Sequence, residues 1–311
     1  MQSSLSGVLY WSVYSLTAVV RNMSSEYGVF SDESKHTKGR FRSIGAISLP
    51  ANYVIEVNRQ LSELLAGSDV SEFKWTELRS ARHRFCAQKL VDFLIDKLLP
   101  KGARIDVLTW DTHDSRHCVY GRDDIRNFER MFFHLHKNLM TRRESGAKWH
   151  LRPDERVDID WTTIEDCLGS VGKWRRLFDL PLLSESFSEC FFNVSTLKQV
   201  ASKNTPLSQM ADLFAGMVPY TRERSTLMTQ LQAEQTGQQS FFDQDLPQTP
   251  SNADRDRFLV INHLHARCSN LGLGVSFTTE GYLKTWNPKQ PINFWHYVSQ
   301  YADDKAPTKD D

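Results

Sequence analysis

The chain has 311 residues, 40% hydrophobic and 24% charged, with 38 Lys and Arg against 38 Asp and Glu, so its formal net charge is zero. That length and apolar content exclude an intrinsically disordered chain and allow a sizeable core in one large domain or two. Neutrality excludes a general electrostatic grip on nucleic acid, while leaving room for a local basic groove.

Gly7 to Val20 is apolar but too short to span a bilayer comfortably, and it lacks the basic flank and small-residue cleavage site of a signal peptide. Met23, just ahead of the first strand, reads as the natural start. Residues 1–22 then read as an extension, with a packed accessory segment or a targeting signal as alternatives. No membrane association is expected. Residues 27–31 and 44–49 have the pattern of two strands joined by a polar loop, and the acidic pair Asp32-Glu33 ends the first. Residues 52–66 place Val54, Val57, Leu61, Leu64 and Leu65 at helical spacing and stop at Gly67. A short extended piece, Glu72-Phe73-Lys74-Trp75, precedes a long amphipathic helix over 77–98 with Phe85, Leu90, Phe93, Leu94 and Leu98 inward. Ala103 to Trp110 reads as a strand that delivers Asp111 at its end, and 122–142 as a second long helix.

Arg156 to Trp161 alternates as a strand carrying Asp158 and Asp160, and a helix follows over 162–177. Phe191 to Val200 reads as extended, with Ser202-Lys203 in the loop after it. Pro206 then opens a helix bearing Asp212, as proline does in a first turn. Between 221 and 254 the composition turns to Gln, Asp, Thr and Pro, the mark of a mobile insertion. Residues 255–269 return to helix, and the end through Asn293-Phe294-Trp295 is extended and aromatic. The alternation predicts an α/β fold with a mixed sheet flanked by helices. Its core is 23–220, and residues 255–311 complete it after the insertion.

An acidic pair ending a first strand, with a carboxylate on a late helix, is the layout an RNase-H-like metal nuclease needs. Phosphodiester hydrolysis can be run by two divalent cations roughly 4 Å apart. Mg²⁺ or Mn²⁺ takes oxygen ligands and keeps several waters, so a few carboxylates suffice, and such carboxylates repel one another without a metal. Strand neighbours point to opposite faces, so one of Asp32 and Glu33 faces such a site, and Asp32 is preferred. Asp212 sits among Met210, Leu213, Phe214 and Met217, where a carboxylate needs a partner. Asp111 and Asp160 both end strand-like segments and are unranked as the remaining ligand; Asp158 is a weaker substitute for Asp160. Lys74 is placed to neutralise a phosphate, and Arg82, within Arg79, Arg82, His83 and Arg84, marks either a nucleic-acid contact or a solvated helix face.

The five cysteines, Cys86, Cys118, Cys167, Cys190 and Cys268, have no CxxC pair, which argues against a disulfide framework or zinc ribbon and for a reducing cytoplasm. The dense run Asp111 to Cys118 is a weak zinc signal, since zinc draws on separated ligand pairs.

These motifs together resemble the family known as domain of unknown function 3800, whose members are similar to RNase H and retroviral integrases in expected fold. Phe30-Ser31-Asp32-Glu33-Ser34 resembles its opening Asp-Glu-Ser-Gly. Glu72-Phe73-Lys74-Trp75 resembles its Glu-apolar-Lys-aromatic segment, and Val157-Asp158-Ile159-Asp160 its strand ending in Asp. Ser202-Lys203 with Gln209-Met210-Ala211-Asp212-Leu213 and Ala215-Gly216 resembles its closing motif. The resemblance covers about 27–217 and implies an acidic site of Asp32, Glu33, Asp160 and Asp212, with Glu72, Lys74 and Lys203 nearby. Lys35 stands where the family has Gly, which bears on how closely backbone or substrate approaches. The expected function is a Mg²⁺- or Mn²⁺-dependent nuclease acting on RNA or DNA, in phage defence or a mobile element. The alternatives are a non-catalytic nucleic-acid- or protein-binding module, or a subunit of a larger or homo-oligomeric complex.

Overall fold

The computed structural model describes residues 25–34, 39–114, 123–178, 192–236, 249–278 and 280–298. Residues 1–22, Lys35, Cys118 and Cys190 therefore lie outside the described residues. Strands β1 (Glu26–Ser34) and β2 (Phe41–Pro50) form an antiparallel hairpin in which Asp32 faces Gly45 in register. β3 (Arg104–Asp111) pairs antiparallel with β2. β4 (Ala147–Pro153) runs parallel to β1, and β5 (Phe192–Leu197) parallel to β4. β6 (Val275–Phe277) and β7 (Leu283–Thr285) make a separate two-stranded ribbon, and β8 (Ile292–His296) joins the main sheet parallel to β3. The main sheet has the order β5-β4-β1-β2-β3-β8. It is the expected α/β fold with a mixed sheet, and its first five strands stand in the order 3-2-1-4-5 with β2 reversed.

Two cores cover the two faces. On one, Phe30, Ile47 and Val107 pack under helices α1 (Val54–Ala66), α2 (Ala81–Phe93), α5 (Pro206–Glu223) and α7 (Asn252–Asn270). On the other, Tyr27, Val29, Leu108 and Trp149 pack under α3 (Asp124–Met140) and α4 (Trp161–Phe178). The central strands are buried on both faces, so β1 reads as a continuous buried run. The C-terminal strand is fastened by a buried ionic knot. Asp106 on β3, fully buried, accepts from Arg104 (2.7 Å), Arg142 (2.6 Å) and its register partner Asn293 on β8 (2.8 Å). Among the described residues no helix is long and apolar enough to cross a membrane.

Four local expectations are corrected. The helix expected from 77 begins at 81, because Ser80 caps it by accepting from the His83 amide. Phe85, expected inward, is 54% exposed beside the Arg84 guanidinium. Residues 156–160 are a loop, not a strand: Arg156 ties back to the Asp158 carboxylate, and Val157 is fully exposed. The strand lies earlier, at 147–153, with Ala147, Trp149, Leu151 and Pro153 buried alternately. The stretch read as an insertion from 221 stays helical: α5 runs to Glu223, and α6 (Ser225–Thr236) buries Met228 and Leu231 in the core. Residues 237–248 lie outside the described residues.

One core group makes the fold acid-sensitive. His136 on α3 is buried, stacked on Phe132 with ring centroids 3.8 Å apart. Burial pushes its pKa down from 6.5 to about 4, against the Phe132 carbonyl and Asp106, which favour the charged form. Above pH 6.5 neither state is protonated and the penalty is absent. Below it the unfolded imidazole takes up a proton that the folded one refuses until about pH 4, so stability falls with pH through that window. Going from pH 7.5 to 4.5 shifts the stability gap in favour of a His136→Leu variant by on the order of 2–3 kcal/mol. Denaturant midpoints at both pH values measure it; a gap that does not move refutes the assignment. The within-pair comparison matters because Asp32, Glu33 and Asp212, raised in the fold, act with the opposite sign.

Candidate active site

The site is built where α5 crosses the β1–β2 hairpin. The crossing is close because Gly45 carries no side chain: a Cβ there would stand 2.8 Å from the Ala211 carbonyl oxygen and 3.1 Å from the Ala215 Cβ. The Ser43 hydroxyl donates to the Ala215 carbonyl at 2.5 Å and fixes the helix on the strand. Gly45 is the register partner of Asp32, so this contact brings Asp212, next to Ala211, alongside Asp32. The alternation of β1 sends Asp32 to the α5 face with Phe30, and Glu33 to the opposite face with Val29.

A third carboxylate arrives from β4. Pro153 is the register partner of Ser31, and the Asp154 amide donates to the Ser31 carbonyl at 2.9 Å, so Asp154 follows directly beside β1. Its Oδ1 accepts from the Ser202 amide at 2.9 Å. The extended 72–75 segment closes the cleft, clipped to the side chains of α5. The Phe73 amide donates to Gln209 Oε1 (2.8 Å) and the Trp75 amide to Asp212 Oδ2 (2.6 Å). Residues 73 and 75 share one edge of the segment, which leaves Glu72 and Lys74 as a pair. Lys74 Nζ lies 3.2 Å from Glu72 Oε1 and donates to Ser202 Oγ at 3.0 Å. Gln209 closes the ring by donating to the Ser202 carbonyl at 2.9 Å.

The electrostatics are those of crowded anions. Asp32, 7% exposed, has its pKa raised well above the usual carboxylate value. Burial is the largest cause, then the charges of Asp212, Glu33 and Asp154, opposed by the Glu33 amide at 2.7 Å. Asp212 is pushed up to about 6 by burial, with Asp154 and Glu72 adding, against the Trp75 amide and the Lys74 charge. Glu33 is pushed up to about 7 by burial, although Arg156 stands 3.2 Å from its Oε1. Asp32, Asp154 and Asp212 thus converge electrostatically from three separate elements. Among the described residues, no group of three or more His, Cys, Asp or Glu side chains is arranged to hold a metal ion. The donor type is the hard carboxylate oxygen that divalent cations take, and carboxylates brought near one another repel.

The other sequence candidates lie elsewhere. Asp160 is exposed at the start of α4, where it accepts from the Thr163 amide (3.0 Å) and hydroxyl (2.7 Å), contacts that hold its pKa low. Asp111 is two strands from Asp32, and Arg40 grips it in a fork at 2.7–3.0 Å, which outweighs burial and lowers its pKa. Arg82 pairs with Asp69 on the surface (2.7 Å), away from the cleft. Lys203 is exposed beside Ser202. Asp154 was missed, because Pro153-Asp154-Glu155 has turn composition; the signal available was the apolar alternation of Trp149, Leu151 and Pro153 just before an Asp. Asp160 and Asp154 are therefore expected to separate by experiment. Asp160→Ala removes a helix cap and lowers stability while leaving any metal response intact; Asp154→Asn leaves stability largely unchanged and weakens that response. Thermal unfolding with and without Mn²⁺ reads both, and the reverse pattern would return Asp160 to the site.

No family model matches the chain. Two proteins of Methanothermobacter thermautotrophicus match it nearly end to end. Uncharacterized protein ORF2′ is 33% identical over 296 residues, covering 93% of this chain and 100% of the relative. Uncharacterized protein ORF2 is 33% identical over 288 residues, covering 90% and 97%.

Proposed function

The chain belongs to the family that includes the ORF2′ and ORF2 proteins of Methanothermobacter thermautotrophicus. From its own residues we propose that it is a divalent-metal-dependent nuclease of RNase-H-like type. One observation carries the reading: Asp32 on a central strand and Asp212 on the crossing helix both have raised proton affinity, and the charge of Asp154, at the end of the parallel neighbour strand, contributes to both. Anions crowded in this way cost free energy unless a cation joins them. The resemblance of the Asp32, Glu72-Lys74 and Asp212 motifs to domain of unknown function 3800 supports the same reading.

Asp32, Asp154 and Asp212 would hold Mg²⁺ or Mn²⁺, with Glu72 at the margin. A divalent cation bound there polarises the scissile phosphate and helps generate the attacking hydroxide. The remaining work falls to the chain. Lys74, aimed by Glu72 and Ser202, presents its ammonium to a phosphate oxygen. Ser202 holds Asp154 through its amide and Lys74 through its hydroxyl, so one residue sets both a carboxylate and a cation. Gln209 and Asp212 keep the 72–75 segment against the cleft. The free cysteines Cys86, Cys167 and Cys268 accord with a reducing compartment such as the cytoplasm. Phage defence or a mobile element is the setting such an enzyme would suit.

The test is cleavage of end-labelled RNA, DNA and hybrid duplexes by the purified chain in Mn²⁺ or Mg²⁺, with chelator controls. Chelator-sensitive cleavage of one class supports the reading; no cleavage of any class removes it. A non-catalytic nucleic-acid- or protein-binding module is the second reading, favoured by the ungrouped carboxylates. It expects binding that chelator leaves unchanged.

A further inference from the structure

On the face of the sheet opposite Asp32 lies a pocket of about 320 Å³, where β2, β3, the start of α3 and the 155–160 loop meet. That is the lower end of small-molecule pockets, roughly 300–1,000 Å³, and suits one compact ligand. Among the described residues Trp110 and Phe128 supply its aromatic walls, and Arg42, Arg156, Asp124 and Asp158 its polar ones. The Arg42 guanidinium lies 3.0 Å from Asp124 Oδ2, and Arg156 pairs with Asp158. The Arg156 guanidinium also lies over the Phe128 ring, 4.5 Å from its centroid. Arg42 Nε is buried without a hydrogen-bond partner.

We propose that this pocket binds a single unstacked nucleobase, carried by a nucleotide or by a nucleic-acid strand. Two arginines and two aspartates leave the lining without net charge, so it offers no general grip on phosphate or on an acidic peptide. Flat aromatic walls and a guanidinium plane are surfaces on which bases stack. Arginine donors beside carboxylate acceptors match a ring edge that both donates and accepts, as a base edge does. A purely aliphatic ligand would leave Arg42 Nε without a hydrogen-bond partner, as it is now. The inference goes beyond the nuclease reading and stands without it, because none of these side chains belongs to the carboxylate cleft. The two sites do touch through Arg156, which also stands 3.2 Å from Glu33 Oε1, next in the chain to Asp32.

The experiment titrates the full chain, in EDTA so that the cleft holds no cation, with the four nucleoside monophosphates, the matching nucleosides and inorganic phosphate. Tryptophan fluorescence and thermal stability are the readouts. Saturable binding of nucleosides and nucleotides is expected, with no saturation by phosphate. Arg42→Gln is expected to weaken binding about tenfold. Asp158→Asn, at a side chain 39% exposed, is expected to change the order of preference among the bases. Equal binding of phosphate alone, no saturation by any nucleoside, or unchanged binding in both variants overturns the proposal. Should the chain bind bases and cleave nothing, the nuclease reading falls and the pocket stands; cleavage without base binding gives the reverse.

Discussion

Asp32→Asn is expected to abolish metal-dependent cleavage and to make the metal-free protein more stable. Both effects come from one buried charge. Asp32 is 7% exposed, and its proton affinity is raised by burial first, then by Asp212, Glu33 and Asp154, against the Glu33 amide and the Lys74 charge. Removing the charge relieves that repulsion, so the melting temperature of the metal-free variant rises, and rises more at pH 8 than at pH 5. The sign follows from linkage: a carboxyl whose folded pKa is raised costs stability as pH climbs above its unfolded value, and the amide has no such cost. The same charge is what a divalent cation needs. Wild type at a hundredfold excess of Mn²⁺ over its Kd gains about 2.7 kcal/mol, or roughly 4 °C in Tm for a domain of this size. Asp32→Asn and Asp212→Asn lose that response. Their cleavage falls by about 10³-fold or more, equivalent to about 4 kcal/mol of transition-state stabilisation. Cleavage at the wild-type rate in both variants would end the metal-nuclease reading. A loss of cleavage together with lower metal-free stability would instead mean that the variants had damaged the fold.

The parts of this site legible in the sequence were those written in local pattern. Strand alternation separates Asp32 from Glu33, and the apolar company of Asp212 marks it as a carboxylate in need of a partner. The parts that were not legible depend on register. Nothing in the spacing says that Gly45 faces Asp32, or that the missing side chain there lets α5 down onto the hairpin. β4 carries a full alternation of its own, Lys148, His150 and Arg152 between buried Ala147, Trp149, Leu151 and Pro153, but Val157 and Ile159 give the next loop a rival pattern, which the exposure of Val157 contradicts. That shift of register carried the third carboxylate from Asp154 to Asp160. The Gln-rich helix α6 failed differently: two buried side chains, Met228 and Leu231, hold it to the core, too few to mark a polar stretch as ordered.

Gly216 is where packing and site are joined most tightly, so Gly216→Ala tests whether the 72–75 segment matters. A Cβ at Gly216 would fall 2.2 Å from two Trp75 ring atoms, Cγ and Cδ1, and 2.6 Å from its Cβ, a separation that real atoms do not adopt. The indole has little room to yield. Trp75 is 3% exposed, edge-on to Tyr220 with centroids 5.7 Å apart, and under the Arg257 guanidinium. The cheaper movement carries the segment off the helix and breaks the Trp75 amide bond to Asp212 that opposes its raised pKa. The expected cost is about 3 kcal/mol, the upper end for an over-packed core, with loss of cleavage beyond what instability explains, because Lys74 moves with Trp75. Trp75→Leu should partly restore stability to Gly216→Ala, since the two changes compete for one space and cannot add. Denaturant unfolding of the two single variants and the double variant measures the coupling. Strictly additive losses would mean that the ring and the helix do not meet here, and with that contact would go the physical reason for placing Lys74 at the acidic cleft.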